Sequence, residues 1–327
     1  MRLVLFSTAT RAPRYHTLLL QAGHDVVGVV LESPSPACAD NSAEPRTTAH
    51  VFAPPDLHCE AFQSAIRQLR PDVLVLAGFG KILKPSLLRC ATLGAVNLHA
   101  GKLPEYRGSH CLSWAILNGE PDVTLSVIAV DEGLDTGDVL EETLLTVTDQ
   151  DDIQSLQQAA DRLFPELLLR VLRRYAAGDL EGRKQDPARA AYWWRRELSD
   201  SMIRWDAQRA DDVDRLVRAT RGTGFQAHTF FSDDRVDILA TSRCLPIHHG
   251  SPGRVYRRSG NRLLICAVDR ALWVDEAVLS TTGQPLAPLL RVGPRTAETR
   301  LSQPSKLGGR LLLAEECVGD DADPGSF

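Results

Sequence analysis

Three polar side chains near the middle of this chain have the types needed for acyl transfer to nitrogen. Asn97 and His99 lie in Val96-Asn97-Leu98-His99-Ala100, and Asp135 lies in Asp131-Glu132-Gly133-Leu134-Asp135-Thr136-Gly137. A spacing of two puts the amide and the imidazole on one face of a strand. The amide suits donation to a developing oxyanion, the imidazole suits proton transfer, and the carboxylate suits orienting the imidazole or taking the proton onward. An amine that attacks the acyl donor directly needs no Ser or Cys nucleophile. An isolated Asn-x-His is more often structural than catalytic, so weight falls on what surrounds it.

The elements that must position these groups follow from hydrophobic patterning. Val123 to Val130 reads as a buried strand that delivers the Asp135 turn, where two glycines permit a tight loop. Between the two polar motifs lie a basic, Gly-containing loop from Lys102 to Gly108 and an amphipathic segment from Cys111 to Leu117. Upstream, Leu3–Phe6, Val26–Leu31 and Val73–Ala77 read as buried strands, and helices are expected over 14–22 and 59–69. The alternation predicts an α/β class: a doubly wound, mostly parallel, Rossmann-like sheet with the site at the C-terminal ends of the strands. No G-x-G-x-x-G follows the first strand, which removes the main support for a nicotinamide-binding reading. The loop Gly78-Phe79-Gly80-Lys81-Ile82-Leu83 sets apolar residues beside its glycines, more than a plain strand-to-helix turn requires.

Asn97-x-His99, then Leu103-Pro104-x-x-Arg107-Gly108, then the Asp131–Gly137 string resemble, in that order, the formyltransferases that use 10-formyltetrahydrofolate. That family acts on methionyl-tRNA, glycinamide ribonucleotide or amino sugars. The resemblance implies an N-formyltransferase with 10-formyltetrahydrofolate as cosubstrate, no metal, and Asn97, His99 and Asp135 as the catalytic residues. It implies folate contacts from Phe79, Gly80, Ile82, Leu83, Gly133, Leu134, Gly137 and Asp138, and acceptor contacts from Lys102, Arg107 and Ser109. Where many members carry Ser-Leu-Leu-Pro, this chain has Gly101-Lys102-Leu103-Pro104, so the loop shape is kept while its polar contacts differ.

At 327 residues the chain has material for two domains. The expected division is a catalytic domain over 1–182, a linker over 183–205, a small β-barrel resembling an OB-fold over 206–300, and an acidic tail over 301–327 without fixed structure. A helix is expected over 151–177, capped by Asp151 or Asp152 and kinked or split at Pro165. Tyr192-Trp193-Trp194, interleaved with Arg189, Arg195 and Arg196, reads as a pinned linker or as a platform for stacking a base or sugar. Strand candidates at 227–231, 235–240, 253–257, 263–267 and 271–278 supply the barrel.

A formal charge of −5 leans away from a dedicated nucleic-acid binder, and within Glu32–His50 the only basic residue before His50 is Arg46. Seven dispersed cysteines without C-x-x-C spacing read as reduced thiols of a cytoplasmic protein, and no run of residues is long enough to span a bilayer. Cys111, beside the proposed site, reads as a small buried hydrophobe, and His248-His249 lacks partners at metal spacing. The low basic content favours a small-molecule primary amine as acceptor, a nucleotide-linked amino sugar first. The alternatives are methionyl-tRNA, a hydroxyornithine of siderophore assembly, or a formyltetrahydrofolate hydrolase or folate-binding regulator. Oligomeric state is not read from the sequence.

Overall fold

Strand β1 (Arg2–Ser7) is an interior strand of a seven-stranded sheet, and its side chains are buried alternately on both faces: Leu3 and Leu5 on one, Val4 and Phe6 on the other. A strand buried on both sides reads as an unbroken apolar run, which is why Leu3–Phe6 is legible in sequence. The computed structural model describes residues 1–32, 49–54, 56–290 and 301. Most of the expected connection over 32–50, and all of the expected acidic tail beyond Leu301, lie outside the described residues.

Helix α1 (Ala12–Gln21) is followed by Gly23 at φ 81° and by β2 (Asp25–Leu31). Next come β3 (His50–Phe52), α2 (Glu60–Gln68), β4 (Val73–Ala77), the short α3 (Pro85–Leu88) and β5 (Ala95–Ala100). A two-residue strand β6 (Arg107–Gly108) leads into α4 (Cys111–Asn118), then β7 (Asp122–Ala129), β8 (Val139–Thr146) and α5 (Ile153–Ala176). The large sheet has the order β3-β2-β1-β4-β5-β7-β8, parallel through β5 and antiparallel from β5 onward. Its order reverses at β1, the kind of position where open α/β sheets place their ligands.

Helix α5 runs unbroken through Pro165, so the split expected there does not occur. Its start is a capping box: the Ser155 N–H donates to Asp152 Oδ1 at 2.8 Å while the Asp152 N–H donates to Ser155 Oγ at 3.2 Å. Leu167, Leu168, Val171 and Leu172 are fully buried on its core face, recurring at helical spacing.

Two compact units divide the chain, Met1–Glu197 with Arg218–Gly222, and Leu198–Val217 with the described residues from Thr223 on. The stretch 183–197, expected as linker, belongs to the first unit and contains β9 (Tyr192–Trp193). Helix α6 (Ala210–Thr220) precedes β10 (His228–Phe231), β11 (Asp234–Arg243), β12 (Val255–Ser259), β13 (Arg262–Cys266) and β14 (Ala271–Leu279). These five strands form an antiparallel sheet in the order β10-β11-β14-β13-β12, and no ladder among the described residues joins its outer strands. No helix of the described residues is long and apolar enough to cross a membrane.

Candidate active site

Strand β5 separates two jobs by its period of two. Val96 and Leu98 enter the core formed with α1 and α5, while Asn97 and His99 project from the opposite face. Asp135 reaches them from the loop after β7. That loop leaves β7 beside the start of β5, where the Val130 N–H donates to the Ala95 carbonyl at 2.9 Å. Its return depends on backbone that few side chains tolerate: Asp135 itself is left-handed at φ 53°. Gly137 approaches the Ala129 carbonyl so closely that an added Cβ would lie 1.9 Å from the oxygen.

The three expected catalytic side chains meet. Asn97 Nδ2 donates to Asp135 Oδ1 at 3.3 Å, and His99 Nδ1 lies 3.6 Å from Asp135 Oδ2. The same Oδ2 accepts the Gly108 N–H at 2.9 Å, a charge-assisted bond that fixes the carboxylate against the β6 loop. The other nitrogen of the imidazole, Nε2, is 2.6 Å from the Tyr106 carbonyl. A carbonyl only accepts, so Nε2 carries the hydrogen and Nδ1 is the nitrogen turned toward Asp135 and Asn97. His99 is only 6% exposed, and the Asp135 side chain 10%. Amide, imidazole and carboxylate therefore share one sheltered corner in which hydrogen bonds are stronger than in bulk water.

Glycine makes this corner possible at two further points. A Cβ on Gly101 would fall 2.7 Å from His99 Nε2 and 2.6 Å from the Tyr106 carbonyl, the two atoms of one hydrogen bond. At Gly108, φ is 103° and a Cβ would fall 2.3 Å from the Trp193 carbonyl. That proximity reflects pairing of β6 with β9, in which Arg107 N–H donates to the Ala191 carbonyl and Ser109 N–H to the Trp193 carbonyl. Tyr106 and Trp193 stack with centroids 5.1 Å apart, and Trp193 in turn packs on Trp114 at 5.1 Å. Thus Tyr192-Trp193 pins the stretch after α5 to the site loop, while Trp194 remains 75% exposed.

The other expected contacts divide by burial. Arg107 was expected either to meet the acceptor or only to brace its loop, and the structure turns it inward at 5% exposure. Its Nε and Nη2 donate to Gln185 Oε1 at 3.0 and 2.9 Å, and its Nη1 donates to the Tyr192 hydroxyl at 2.9 Å. Those bonds occupy the guanidinium and make it a brace for the loop. Lys102 and Ser109 are exposed beside it. Of the expected folate contacts, the side chains of Phe79 and Leu83 are buried in the core, Phe79 edge-on to Phe6 at 5.3 Å. Ile82 is 50% exposed and Leu134 38% exposed, while the Gly80 N–H donates to Glu32 Oε2 at 3.1 Å. Gly133 is exposed and Asp138 half-buried, with the Asp138 carbonyl accepting from Ala129 N–H at 2.9 Å.

Three participants went unmarked by sequence: the Tyr106 carbonyl, the Gly108 N–H and the Gln185 side chain. Nothing in the residue types singles out a main-chain group, and Gln185 stands in a polar, irregular stretch. Cys111 is buried beside the site, and burial together with the Asp135 carboxylate pushes its thiol up to about 12, which keeps it an inert neutral group. His110 is held below the ordinary imidazole range by burial and by the Arg195 and Arg196 cations. Among the described residues no cluster of His, Cys and acidic side chains is arranged to hold a metal.

A doubly wound sheet that gathers an amide, an imidazole and a carboxylate in one corner defines an α/β enzyme equipped for acyl transfer to nitrogen. Residues 1–172 match the formyl transferase family and residues 197–283 match the formyl transferase C-terminal domain. The chain is 31% identical over 296 residues to a methionyl-tRNA formyltransferase of Anaeromyxobacter dehalogenans, covering 87% of this chain and 94% of the relative. In fold it is similar to HypX from Aquifex aeolicus in complex with tetrahydrofolic acid, at a TM-score of 0.63 and 18% identity. That match covers 85% of this chain and 44% of the longer HypX chain. An N-formyltransferase from Helicobacter canadensis, in complex with folinic acid and dTDP-3-aminofucose, aligns at a TM-score of 0.61 and 14% identity, over 83% of this chain and 97% of that one. The chain belongs to the formyl transferase family: it is an N-formyltransferase whose formyl donor is 10-formyltetrahydrofolate.

Proposed function

We propose that this enzyme formylates the α-amine of an aminoacyl-tRNA of the methionyl type. What carries this reading is identity at 31% along 94% of a methionyl-tRNA formyltransferase, a match that runs through both family domains in order. It replaces the amino sugar as first choice. Low basic content argued for the sugar, but local charge matters more than net charge to a phosphate backbone. Lys184, Tyr192, Trp194 and Arg195 are exposed on the stretch that borders the β6 loop, a mixture of cations and aromatic faces suited to a terminal nucleotide. Residues 1–197 would carry the chemistry.

In this reading the donor supplies an activated formyl carbon and the neutral amine attacks it. Asn97 turns its amide N–H from Asp135 to the developing oxyanion. His99 Nδ1, the nitrogen not tied to Tyr106, receives the proton that the amine sheds and the Asp135 carboxylate stabilises the resulting cation; as the tetrahedral intermediate collapses, the bond from the formyl carbon to the folate nitrogen breaks and His99 returns the proton to that nitrogen, releasing tetrahydrofolate. The exposed aliphatic groups of Ile82 and Leu134, with the main chain of 78–80 and 133, offer apolar surface for a pterin ring. Lys102 and Ser109 face the acceptor.

The test is direct. Enzyme and 10-formyltetrahydrofolate are incubated separately with initiator methionyl-tRNA, a panel of nucleotide-linked amino sugars, and hydroxyornithine, and products are followed by mass. Formylmethionyl-tRNA formed at least a hundredfold faster than any other product supports the assignment. Preferential gain of a formyl group by an amino sugar would restore the sugar reading, and tetrahydrofolate release without any amine would point to a hydrolase.

A further inference from the structure

From the geometry we infer that Gln185 is a positioning residue for formyl transfer, the clamp that holds Asp135 in its working conformation. Its side-chain amide is used at every valence. Nε2 donates one hydrogen to the Asp135 carbonyl at 2.9 Å and the other to the Gly137 carbonyl at 2.7 Å. Oε1 accepts two bonds from the Arg107 guanidinium, at 3.0 and 2.9 Å. Arg107 thereby fixes which end of the amide faces the loop, since only the NH2 end can donate to carbonyls. One side chain thus links three segments: the Asp135 turn, the β6 loop whose Gly108 N–H holds the carboxylate, and the stretch following α5.

The clamp is needed because of what it holds. Asp135 is a non-glycine residue at φ 53°, a conformation that persists only where the surroundings impose it. The turn before it, Asp131 to Leu134, is exposed and held by internal bonds, Gly133 N–H and Thr136 Oγ1 both donating to Asp131 Oδ1. Fixing the Asp135 carbonyl sets the peptide plane, and the plane sets the direction of the carboxylate toward His99 Nδ1 and Asn97 Nδ2. Gln185 touches no reacting atom; its effect passes through Asp135.

Two substitutions separate this role from general scaffolding. Gln185→Met keeps the shape and removes every hydrogen bond. Gln185→Glu keeps the acceptor for Arg107 but sets a carboxylate oxygen against two carbonyl oxygens. Both should lower kcat by at least tenfold while KM for 10-formyltetrahydrofolate stays within about threefold. In an Asp135→Asn background the same changes should cost less than twofold, because the group being positioned is gone. Independently of any acceptor, amide exchange at residues 133–138 should quicken at least tenfold in both variants while β4 and β5 keep wild-type protection. The exchange arm fails separately from the acceptor assignment: a wild type that makes no formylmethionyl-tRNA overturns that assignment and leaves the exchange result standing. The inference is overturned by unchanged exchange over 133–138, by Gln185→Glu turning over at the wild-type rate, or by equal losses with and without the Asp135 carboxylate.

Discussion

Replacing Gly108 with alanine should damage this enzyme in two measurable ways, and Gly94 provides the control. Both glycines have positive φ, 103° and 87°, so an alanine at either meets backbone strain of about 1–3 kcal/mol. They differ in what a methyl would touch. At Gly94 nothing lies within 4 Å, whereas at Gly108 the Trp193 carbonyl oxygen would be 2.3 Å away, about 1.1 Å inside the 3.4 Å at which ordinary contact begins. A backbone carbonyl in a paired strand has no rotamer with which to escape, so β6 and β9 must separate. That forfeits the Arg107 and Ser109 N–H bonds to β9, about 1 kcal/mol each, and the Gly108 N–H bond to the Asp135 carboxylate, about 1.5–3 kcal/mol. Gly108→Ala should therefore lie roughly 3–5 kcal/mol below Gly94→Ala in stability, or about 6–20 °C in Tm. The carboxylate bond, once lost, should reduce kcat by about 10- to 100-fold. Thermal unfolding and single-turnover formyl transfer on both variants provide the comparison. Equal Tm and equal kcat in the two would refute the claim that this close approach holds the carboxylate.

The other expectations are these. Asn97→Ala, His99→Ala and Asp135→Ala should each lower turnover by ~100-fold or more while folate affinity, measured by fluorescence quenching, changes little; turnover within tenfold of wild type in all three would defeat the assigned roles. Arg107→Met should strand Gln185 Oε1, costing about 1–3 kcal/mol, while the exposed Tyr192 can pair its hydroxyl with water. It should leave the salt dependence of acceptor binding unchanged, whereas Lys102→Ala should reduce the slope. Cys111 should resist iodoacetamide at pH 8 in the native protein while the exposed Cys59 reacts, read by peptide mass. Burial raises the Cys111 thiol from 9.0 to about 12 and the Tyr106 phenol from 10.0 to about 12. The unfolded chain releases these protons first as pH rises, so stability that is full below pH 9 should fall between pH 9 and about 12 in urea titrations.

Much of the architecture was legible because it is written in local patterns. Leu3–Phe6 and Val73–Ala77 are apolar runs of strand length, and the five C-terminal strands alternate between turn residues; all appear as strands. The Asn97-x-His99 spacing needs only the two-residue period of a strand to put both side chains on one face. The split expected at Pro165 does not occur, because a helix packed along its length by Leu167, Leu168, Val171 and Leu172 tolerates the break in one hydrogen bond.

The tertiary structure decided which of the polar residues are exposed and which are turned inward. Arg107 sits in a motif that reads as phosphate-seeking, yet its partners Gln185 and Tyr192 lie 78 and 85 residues further along the chain, and they turn it inward. Phe79 and Leu83, in the loop expected to border a folate, pack their side chains into the core against Phe6 and its neighbours, because either face of this sheet must be covered by apolar side chains. The sequence by itself determined the sheet, the family and the three candidate catalytic side chains, Asn97, His99 and Asp135. Their orientation came from a carbonyl at Tyr106, an N–H at Gly108 and an amide at Gln185. Main-chain groups have no residue type, and partners brought together across 50 residues leave no periodic trace, so only the folded chain could reveal them.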